Sequence, residues 1–178
     1  MEFKKIQLNG FKSFAEKTNF LIEKGLTGIV GPNGCGKSNI VESLRWCMGE
    51  TSAKSMRGSG MEDVIFSGTS NKPSKNIAEV VLSLNNDNKD GPPQYNDIEE
   101  IEIRRKIEKD KGSKFYINNK EVRAKDAQMF FADLSTGAHS PSLISQGRIG
   151  ALVTAKPSDR RAILEEAAGI AGLHVRRH

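Results

Sequence analysis

Gly31-Pro-Asn-Gly-Cys-Gly-Lys-Ser38 is the stretch that decides the fold of this 178-residue chain. It matches the pattern GxxxxGK[ST], in which backbone N–H groups wrap phosphate oxygens and glycines allow the close approach. The short apolar run at residues 26–30 predicts a buried central strand before it. Residues 38–48 carry apolar side chains at helical spacing, so a helix is predicted to begin where the loop ends. This order indicates a P-loop nucleotide-binding protein of the α/β class.

The residue types in the loop follow from the chemistry of a nucleotide. Lys37 is predicted to reach the β- and γ-phosphates of ATP, and the Ser38 hydroxyl to ligate Mg²⁺. The N-terminus of the helix adds a partial positive charge. The other predicted phosphate contacts come from the loop itself: Gly31, Pro32, Asn33, Gly34, Cys35 and Gly36. The alternative interpretation, a glycine-rich turn with an incidental Lys-Ser pair, is disfavoured by the predicted strand and helix on either side.

The composition is that of a soluble protein, with 37% hydrophobic and 28% charged residues. No apolar run approaches the roughly 20 residues of a membrane span, and the first ten residues lack the pattern of a signal peptide. A cytoplasmic location without membrane partners is expected. The net charge of +5 permits attraction to a phosphate polymer but does not require it. Cys35 and Cys47 have no metal-binding spacing and are expected to be reduced thiols.

Alternation of apolar and polar residues, or short apolar runs between turn residues, predicts the remaining strands. They fall at residues 3–9, 18–22, 76–84, 98–107 and 115–117. The polar stretch 85–97 predicts a surface loop, and residues 125–134 a short helix. A second helical pattern begins at Pro157, with Ser158 as a plausible N-cap.

Several motifs around the loop narrow the choice of protein family. They are NGFKSF at 9–14, GPNGCGKSN at 31–39, SAKSMRG at 52–58, GMEDVIF at 60–66, LISQGR at 143–148 and KPSDRR at 156–161. Together and in this order they resemble the amino-terminal head of bacterial SMC chromosome-partition proteins. The likeness spans nearly the whole chain and is weakest between residues 85 and 111. The resemblance implies an ABC-type P-loop ATPase head lobe, with a mixed sheet around the phosphate-loop helix.

The resemblance also implies roles for residues outside the loop. Gln146 stands at the Q-loop glutamine, whose amide oxygen ligates Mg²⁺, and Arg57 at the arginine-loop residue, which complements transition-state charge or contacts DNA phosphates. With Lys37 these two residues form the predicted catalytic set. Lys12 and Ser13 match a segment near the nucleotide phosphates.

Two further nucleotide contacts are implied by the same likeness: Asn39 in the extended loop motif and Asp63 near the adenine. For Gln146, Arg57 and Lys12 the alternative is an ordinary solvated side chain. Cys35 departs from the serine that is more usual in the family. Since only its backbone N–H is needed, nucleotide binding is expected to survive, and a thiol there is expected to make binding sensitive to alkylation.

Two parts of an ABC-type site are missing from the sequence. No apolar run ends in the Asp-Glu of a Walker B motif, and no Leu-Ser-Gly-Gly signature occurs. In the SMC family these parts come from a carboxy-terminal lobe that returns after a long coiled coil. Residues 1–156 are therefore predicted to form the amino-terminal lobe, and residues 157–178 a helix leading into the coiled-coil arm. The alternative for that helix is a terminal packing helix of a complete small domain.

The function implied is ATP binding and hydrolysis that drive DNA entrapment in chromosome condensation and segregation. The implied partners are double-stranded DNA, the carboxy-terminal lobe, a second head in a homodimer and a kleisin-type subunit, at the nucleoid. One alternative is another long-armed ABC ATPase of DNA repair, which the combined FKSF, MRG and ISQGRI strings disfavour. Others are a nucleotide-dependent DNA tether without turnover and a transporter ATPase, although the latter carries all its motifs in one continuous chain.

Overall fold

A computed structural model describes residues 1–87, 89, 92–134, 156–158 and 161. Its strands are β1 (Glu2–Asn9), β2 (Thr18–Leu21), β3 (Ile77–Asn85), β4 (Glu100–Glu108), β5 (Gly112–Ile117) and β6 (Lys120–Val122). Its α-helices are α1 (Lys37–Cys47) and α2 (Ala124–Asp133), with 3₁₀ helices at Lys54–Met56, Met61–Val64 and Pro93–Tyr95. The structure confirms the predicted α/β class. It also confirms, within a few residues, the five predicted strands other than residues 26–30 and the helices at 38–48 and 125–134.

The six strands form one sheet in the order β2-β1-β3-β4-β5-β6. Each pairing between these described strands is antiparallel, so the mixed sheet implied by the resemblance is not seen among them. β1 and β3 are neighbours although 67 residues separate them, and the segment between them carries β2, the phosphate loop, α1 and two 3₁₀ helices. The sheet therefore holds both ends of the segment that contains the candidate site.

Helix α1 packs on β3 and β4 through the predicted apolar stripe. Ile40, Leu44 and Cys47 are all buried, with Cys47 fully so. The Cys47 Sγ lies 3.6 Å from the carbonyl oxygens of Val80 on β3 and Ile103 on β4. Burial raises the pKa of this thiol to about 12, so at neutral pH it is an uncharged part of the core.

The C-terminal end of α1 is held by a buried arginine on β4. The Arg105 Nη1 donates to the carbonyl oxygens of Trp46 at 2.7 Å and Glu50 at 2.6 Å. Its guanidinium lies 4.5 Å from the centroid of the Trp46 ring and 4.6 Å from that of Phe115. Burial lowers the pKa of Arg105 to about 10, which leaves it charged at neutral pH. The guanidinium therefore donates to one carbonyl in the last turn of α1 and to one just after the helix.

The prediction of a buried central strand at residues 26–30 is wrong for this chain. The segment forms no strand, and Leu26 and Val30 are 101% and 94% exposed. A central strand needs a hydrogen-bonded neighbour on each side, and none of the six described strands pairs with this run. The predicted loop at 85–97 also contains the 3₁₀ helix Pro93–Tyr95.

The predicted helix from Pro157 lies almost wholly outside the described residues, so the boundary at residue 156 stays a prediction. Pro157 and Ser158 are helical where they are described. Among the described residues, no helix has the length and apolar character needed to cross a bilayer.

Candidate functional site

The phosphate loop is an exposed turn that leads directly into α1. Gly34 and Gly36 have φ angles of 81° and 93°, in the left-handed region that glycine adopts without strain. Gly36 is the N-cap of α1 and supplies no side-chain hydrogen bond to the helix. A Cβ at Gly36 would lie 2.7 Å from the Ser13 Oγ, so only glycine fits there. The loop therefore presents the positive end of α1 without a capping side chain in front of it.

Lys37 folds back over this loop. Its Nζ donates to the carbonyl oxygens of Gly31 and of Pro32, the latter at 2.6 Å. Ser38, the next residue, is exposed in the first turn of α1. The ammonium, the hydroxyl and the helix N-terminus are thus within one turn of each other, as the sequence predicts.

Cys35 is exposed in the loop, whereas Cys47 is buried in the core. A Cβ at Gly31 would lie 2.9 Å from the Cys35 Sγ, so the thiol lies against the start of the loop. An alkylating reagent should therefore reach Cys35 in the folded protein and not Cys47, and the sensitivity of nucleotide binding to alkylation stays a prediction.

Lys12 and Arg57 approach α1 from two different segments and meet at one carboxylate. The Lys12 Nζ lies 2.5 Å from the Glu42 Oε2 and also donates to the Met56 carbonyl oxygen. The Arg57 Nε pairs with the other oxygen, Glu42 Oε1. Both cationic residues have left-handed backbones, with φ of 47° at Lys12 and 55° at Arg57. Such angles are uncommon outside glycine, so their surroundings hold them in place.

Asn39 connects the cluster of Lys12, Arg57 and Glu42 to the side chain of Ser13. The Arg57 Nη2 donates to the Asn39 Oδ1 at 2.6 Å, and the Asn39 Nδ2 donates to the Ser13 Oγ at 2.8 Å. The structure therefore brings together Lys12, Ser13, Asn39 and Arg57, which the sequence predicts for the site. The same contacts place them beside the first turns of α1.

Asp63 forms its contacts within its own turn. Its Oδ2 accepts hydrogen bonds from the Ser59 N–H at 2.6 Å, the Ser59 Oγ at 2.9 Å and the Gly60 N–H at 2.9 Å. These bonds, with that from Gly60 foremost, lower the pKa of Asp63. They cap the 3₁₀ helix Met61–Val64 and fix the glycine turn after Arg57. The predicted contact of Asp63 with the adenine stays a prediction.

Glu42 is the residue that the sequence predictions miss. Its side chain is only 9% exposed, although it is a carboxylate. It lies outside the apolar stripe used to predict α1, which is why periodicity does not single it out. One signal was present in the sequence: Glu42 is the only acidic residue of α1, which lies between the motif that carries Lys12 and the motif that carries Arg57. Gln146 and the LISQGR segment lie outside the described residues.

Comparisons with known proteins identify the family. The profile of the RecF/RecN/SMC N terminal domain matches residues 2–147, which is most of the chain. The chain belongs to this family. It is 56% identical over 178 residues to the Chromosome partition protein Smc of Rhodopseudomonas palustris and 58% identical over 178 residues to that of Cereibacter sphaeroides. These alignments cover 100% of the chain but only 15% and 16% of the relatives.

Solved SMC heads have the same fold. A crystal structure described as the SmcHead bound to the C-winged helix domain of ScpA matches with a TM-score of 0.86 and 32% identity, over 96% of this chain and 52% of that one. A structure from a study of ATP-driven dimerization and DNA-stimulated activation of SMC ATPases matches with a TM-score of 0.79 and 30% identity, over 94% of this chain and 99% of that one. The predicted SMC head fold is confirmed. The Smc relatives do not favour the alternative of a DNA-repair ATPase.

Proposed function

We propose that this chain is the ATP-binding lobe of an SMC ATPase head that acts in chromosome partition. The observation that carries the proposal is the exposed phosphate loop at the uncapped start of α1, with Lys37 folded over it, in a chain of the SMC family. The described residues fit ATP with Mg²⁺, because no side chain caps the start of α1 and Ser38 offers an exposed hydroxyl.

In this proposal the loop amides and the N-terminus of α1 bind the phosphates, and Lys37 exchanges its carbonyl partners for phosphate oxygens. Ser38 and Gln146 hold Mg²⁺, which neutralises phosphate charge when bound. Lys12, Ser13 and Asn39 line the phosphate side. Arg57, whose side chain is 57% exposed, faces either the nucleotide or DNA phosphates.

The site is proposed to be composite. The apolar run at residues 26–30 is exposed and unpaired here, and no Walker B or signature motif occurs in the sequence. The SmcHead structure that this chain matches is about twice as long as the matched part. A carboxy-terminal lobe is proposed to supply the neighbouring strand and the water-polarising carboxylate. A second head in a homodimer is proposed to supply the signature motif, so hydrolysis belongs to the assembled pair.

The partners of the whole protein are also proposals. The matched structures include Smc heads bound to domains of ScpA, one of them derived from Pyrococcus furiosus. A kleisin-type subunit of this kind, a second head and double-stranded DNA are the proposed partners of the present head, in the cytoplasm at the nucleoid. The basic net charge of +5 is compatible with the DNA partner.

The proposal is tested by comparing the chain alone with the chain joined to its carboxy-terminal lobe. The chain alone is expected to bind Mg-ATP weakly and to show negligible turnover. Addition of the second lobe and DNA is expected to give steady hydrolysis. Robust turnover by the chain alone would contradict the composite site, and failure of the two-lobe head to bind Mg-ATP would contradict the function itself.

A further inference from the structure

We infer that Glu42 is a positioning residue that presets Lys12 and Arg57 for the nucleotide reaction by holding both cations on one buried carboxylate. The inference rests on the proposed function and deepens it, since it names the residue through which two of the predicted site residues are arranged. No motif in the sequence marks Glu42 for this role.

The geometry at Glu42 is that of a shared anchor. Its two carboxylate oxygens are used separately, Oε2 by the Lys12 Nζ at 2.5 Å and Oε1 by the Arg57 Nε. Lys12 and Arg57 come from segments 45 residues apart in the chain, before and after α1. Glu42 is therefore the point at which the two flanking segments are joined to the helix.

Burial makes this anchor strong. The side chains of Glu42 and Lys12 are 9% and 12% exposed, so their attraction is screened far less than that of a surface pair. A buried carboxylate without a partner would be costly, and here each oxygen has a cation. The arrangement resists loss of either contact, which suits a group that must hold a position.

The anchor is also coupled to the phosphate loop. Glu42 is four residues after Ser38 on α1, so it lies one helical turn beyond the predicted metal ligand. The helix thus fixes the distance from the phosphates to Lys12 and Arg57. The Asn39 amide, which accepts from Arg57 and donates to Ser13, adds a second contact on the same face.

Lys12 and Arg57 both have left-handed backbones, a conformation that their contacts, including the anchor at Glu42, must hold in place. A non-glycine residue at φ near 50° is held there by its surroundings. Without the carboxylate the two long side chains regain rotamer freedom, and the fraction of time that either cation spends near the nucleotide falls. The expected effect is on the reaction rate more than on nucleotide affinity, because the loop amides and Lys37 stay in place.

The test uses the two-lobe head with DNA and four proteins: wild type, Glu42→Gln, Arg57→Ala and the double variant. Glu42→Gln keeps the shape of the side chain and removes its charge. It is expected to lower kcat about tenfold, the loss of about one charge-assisted contact in the transition state, with the Kd for Mg-ATP within about threefold of wild type. In the Arg57→Ala background the same change is expected to lower kcat by a clearly smaller factor, since one of its two targets is gone.

Glu79→Gln is the matched control, because Glu79 pairs with Arg104 at 3.7 Å across β3 and β4. It is expected to leave kcat unchanged. If Glu42→Gln folds poorly, Glu42→Asp replaces it, because its shorter stem keeps the charge but moves it away from the two cations. A lowered kcat with intact Mg-ATP binding is again expected, and an unchanged kcat would overturn the inference. An unchanged kcat in Glu42→Gln, or an equal factor in both backgrounds, would overturn the inference. Intact Mg-ATP binding in those proteins would leave the proposed function standing.

Discussion

The sheet and the phosphate loop of this lobe are stabilised in opposite ways. β3 and β4 are paired on both sides, and their inward residues, among them Leu82, Ile101 and Ile103, are fully buried. Residues 26–35 are exposed throughout and contribute no strand. Where the sheet satisfies its own backbone, the loop leaves the start of α1 uncapped, with Lys37 bonded to loop carbonyls.

This difference separates the parts of the chain that fold it from the parts that bind. The sheet and the far end of α1 form a closed core, in which even the buried charge of Arg105 has three hydrogen-bond acceptors. The loop is proposed to be completed by a ligand and by another lobe. Substitutions in the core should therefore change stability without changing affinity, and substitutions in the loop should do the reverse.

The largest effect is expected from a substitution in the phosphate loop. Lys37→Ala is expected to weaken Mg-ATP binding by about 100-fold, because it removes a charge-assisted contact with the phosphates. The melting temperature should stay close to that of wild type, since the hydrogen bonds of the ammonium among the described residues are with loop carbonyls. Titration calorimetry and thermal unfolding measure the two quantities.

Lys24→Ala is the control for Lys37, because Lys24 pairs with Glu2 at 3.3 Å and its side chain is 82% exposed. It should not change nucleotide affinity. Lys37→Ala should also abolish DNA handling by the whole protein. If handling persists without turnover, the chain is a nucleotide-dependent tether and not a working ATPase.

The core counterpart is Arg105→Met, which is expected to lower the free energy of unfolding by about 2 kcal/mol. The change leaves the carbonyls of Trp46 and Glu50 without their charged donor and removes the cation between two aromatic rings. Guanidinium unfolding measures it.

Arg104→Met is the matched control for Arg105. Arg104 is a half-exposed neighbour that pairs with Glu79 and stacks on Tyr116, and its loss should cost about 1 kcal/mol or less. Equal losses for the two arginines would contradict the assignment of Arg105 to the core, and so would a large loss of Mg-ATP affinity in Arg105→Met.

A pH-dependent effect is expected from Cys47. Its pKa is raised from 9.0 to about 12 in the folded chain. Above pH 9 the unfolded chain loses this proton and the folded chain keeps it, so stability falls as pH rises from 9 toward 12, by up to about 1.4 kcal/mol per pH unit. Below pH 9 the thiol contributes no slope.

Comparison with Cys47→Ala separates the contribution of the Cys47 thiol to stability from the titration of lysines and tyrosines. The variant should lose stability less steeply between pH 9 and pH 11 in guanidinium unfolding at each pH. Parallel curves for the two proteins would show that Cys47 is not buried as described.

The smallest effect is expected at the exposed apolar run. Val30→Ser should change the stability of the chain by less than about 0.5 kcal/mol, because Val30 is 94% exposed. Val80→Ser on β3, where the valine is fully buried, should cost several times more. Once the carboxy-terminal lobe is present, Val30→Ser should weaken lobe association in a pull-down or titration. Unchanged association would mean that residues 26–30 are not part of the joint between lobes.

The sequence predicted most of what depends on local pattern. Alternation placed β1, β3 and β4 within a few residues, and the stripe of Ile40, Leu44 and Cys47 predicted α1 and its buried face. The same reasoning failed at residues 26–30. An apolar run indicates that a segment is buried in the complete protein, but it does not say whether its strand neighbour lies in the same chain.

The site was predictable where one motif contains the chemistry, as in Gly31 to Ser38. It was not predictable where the arrangement depends on contacts across the chain. The pairing of Lys12 and Arg57 with Glu42 joins three segments that only the fold brings together, and no spacing rule relates them. Asp63 shows the opposite case. Its motif predicts a contact with the nucleotide, whereas its hydrogen bonds in the fold are with its own turn.

Amide hydrogen exchange with and without Mg-ATP tests the central claim most directly, that residues 31–38 bind phosphate while the sheet only supports them. The two-lobe head is expected to gain strong protection at the amides of residues 33–39, and the amides of β3 and β4 should exchange at unchanged rates. Lys37→Ala should lose the added protection at the same nucleotide concentration. Saturating Mg-ATP that leaves residues 33–39 unprotected, or that protects the sheet instead, would contradict the account.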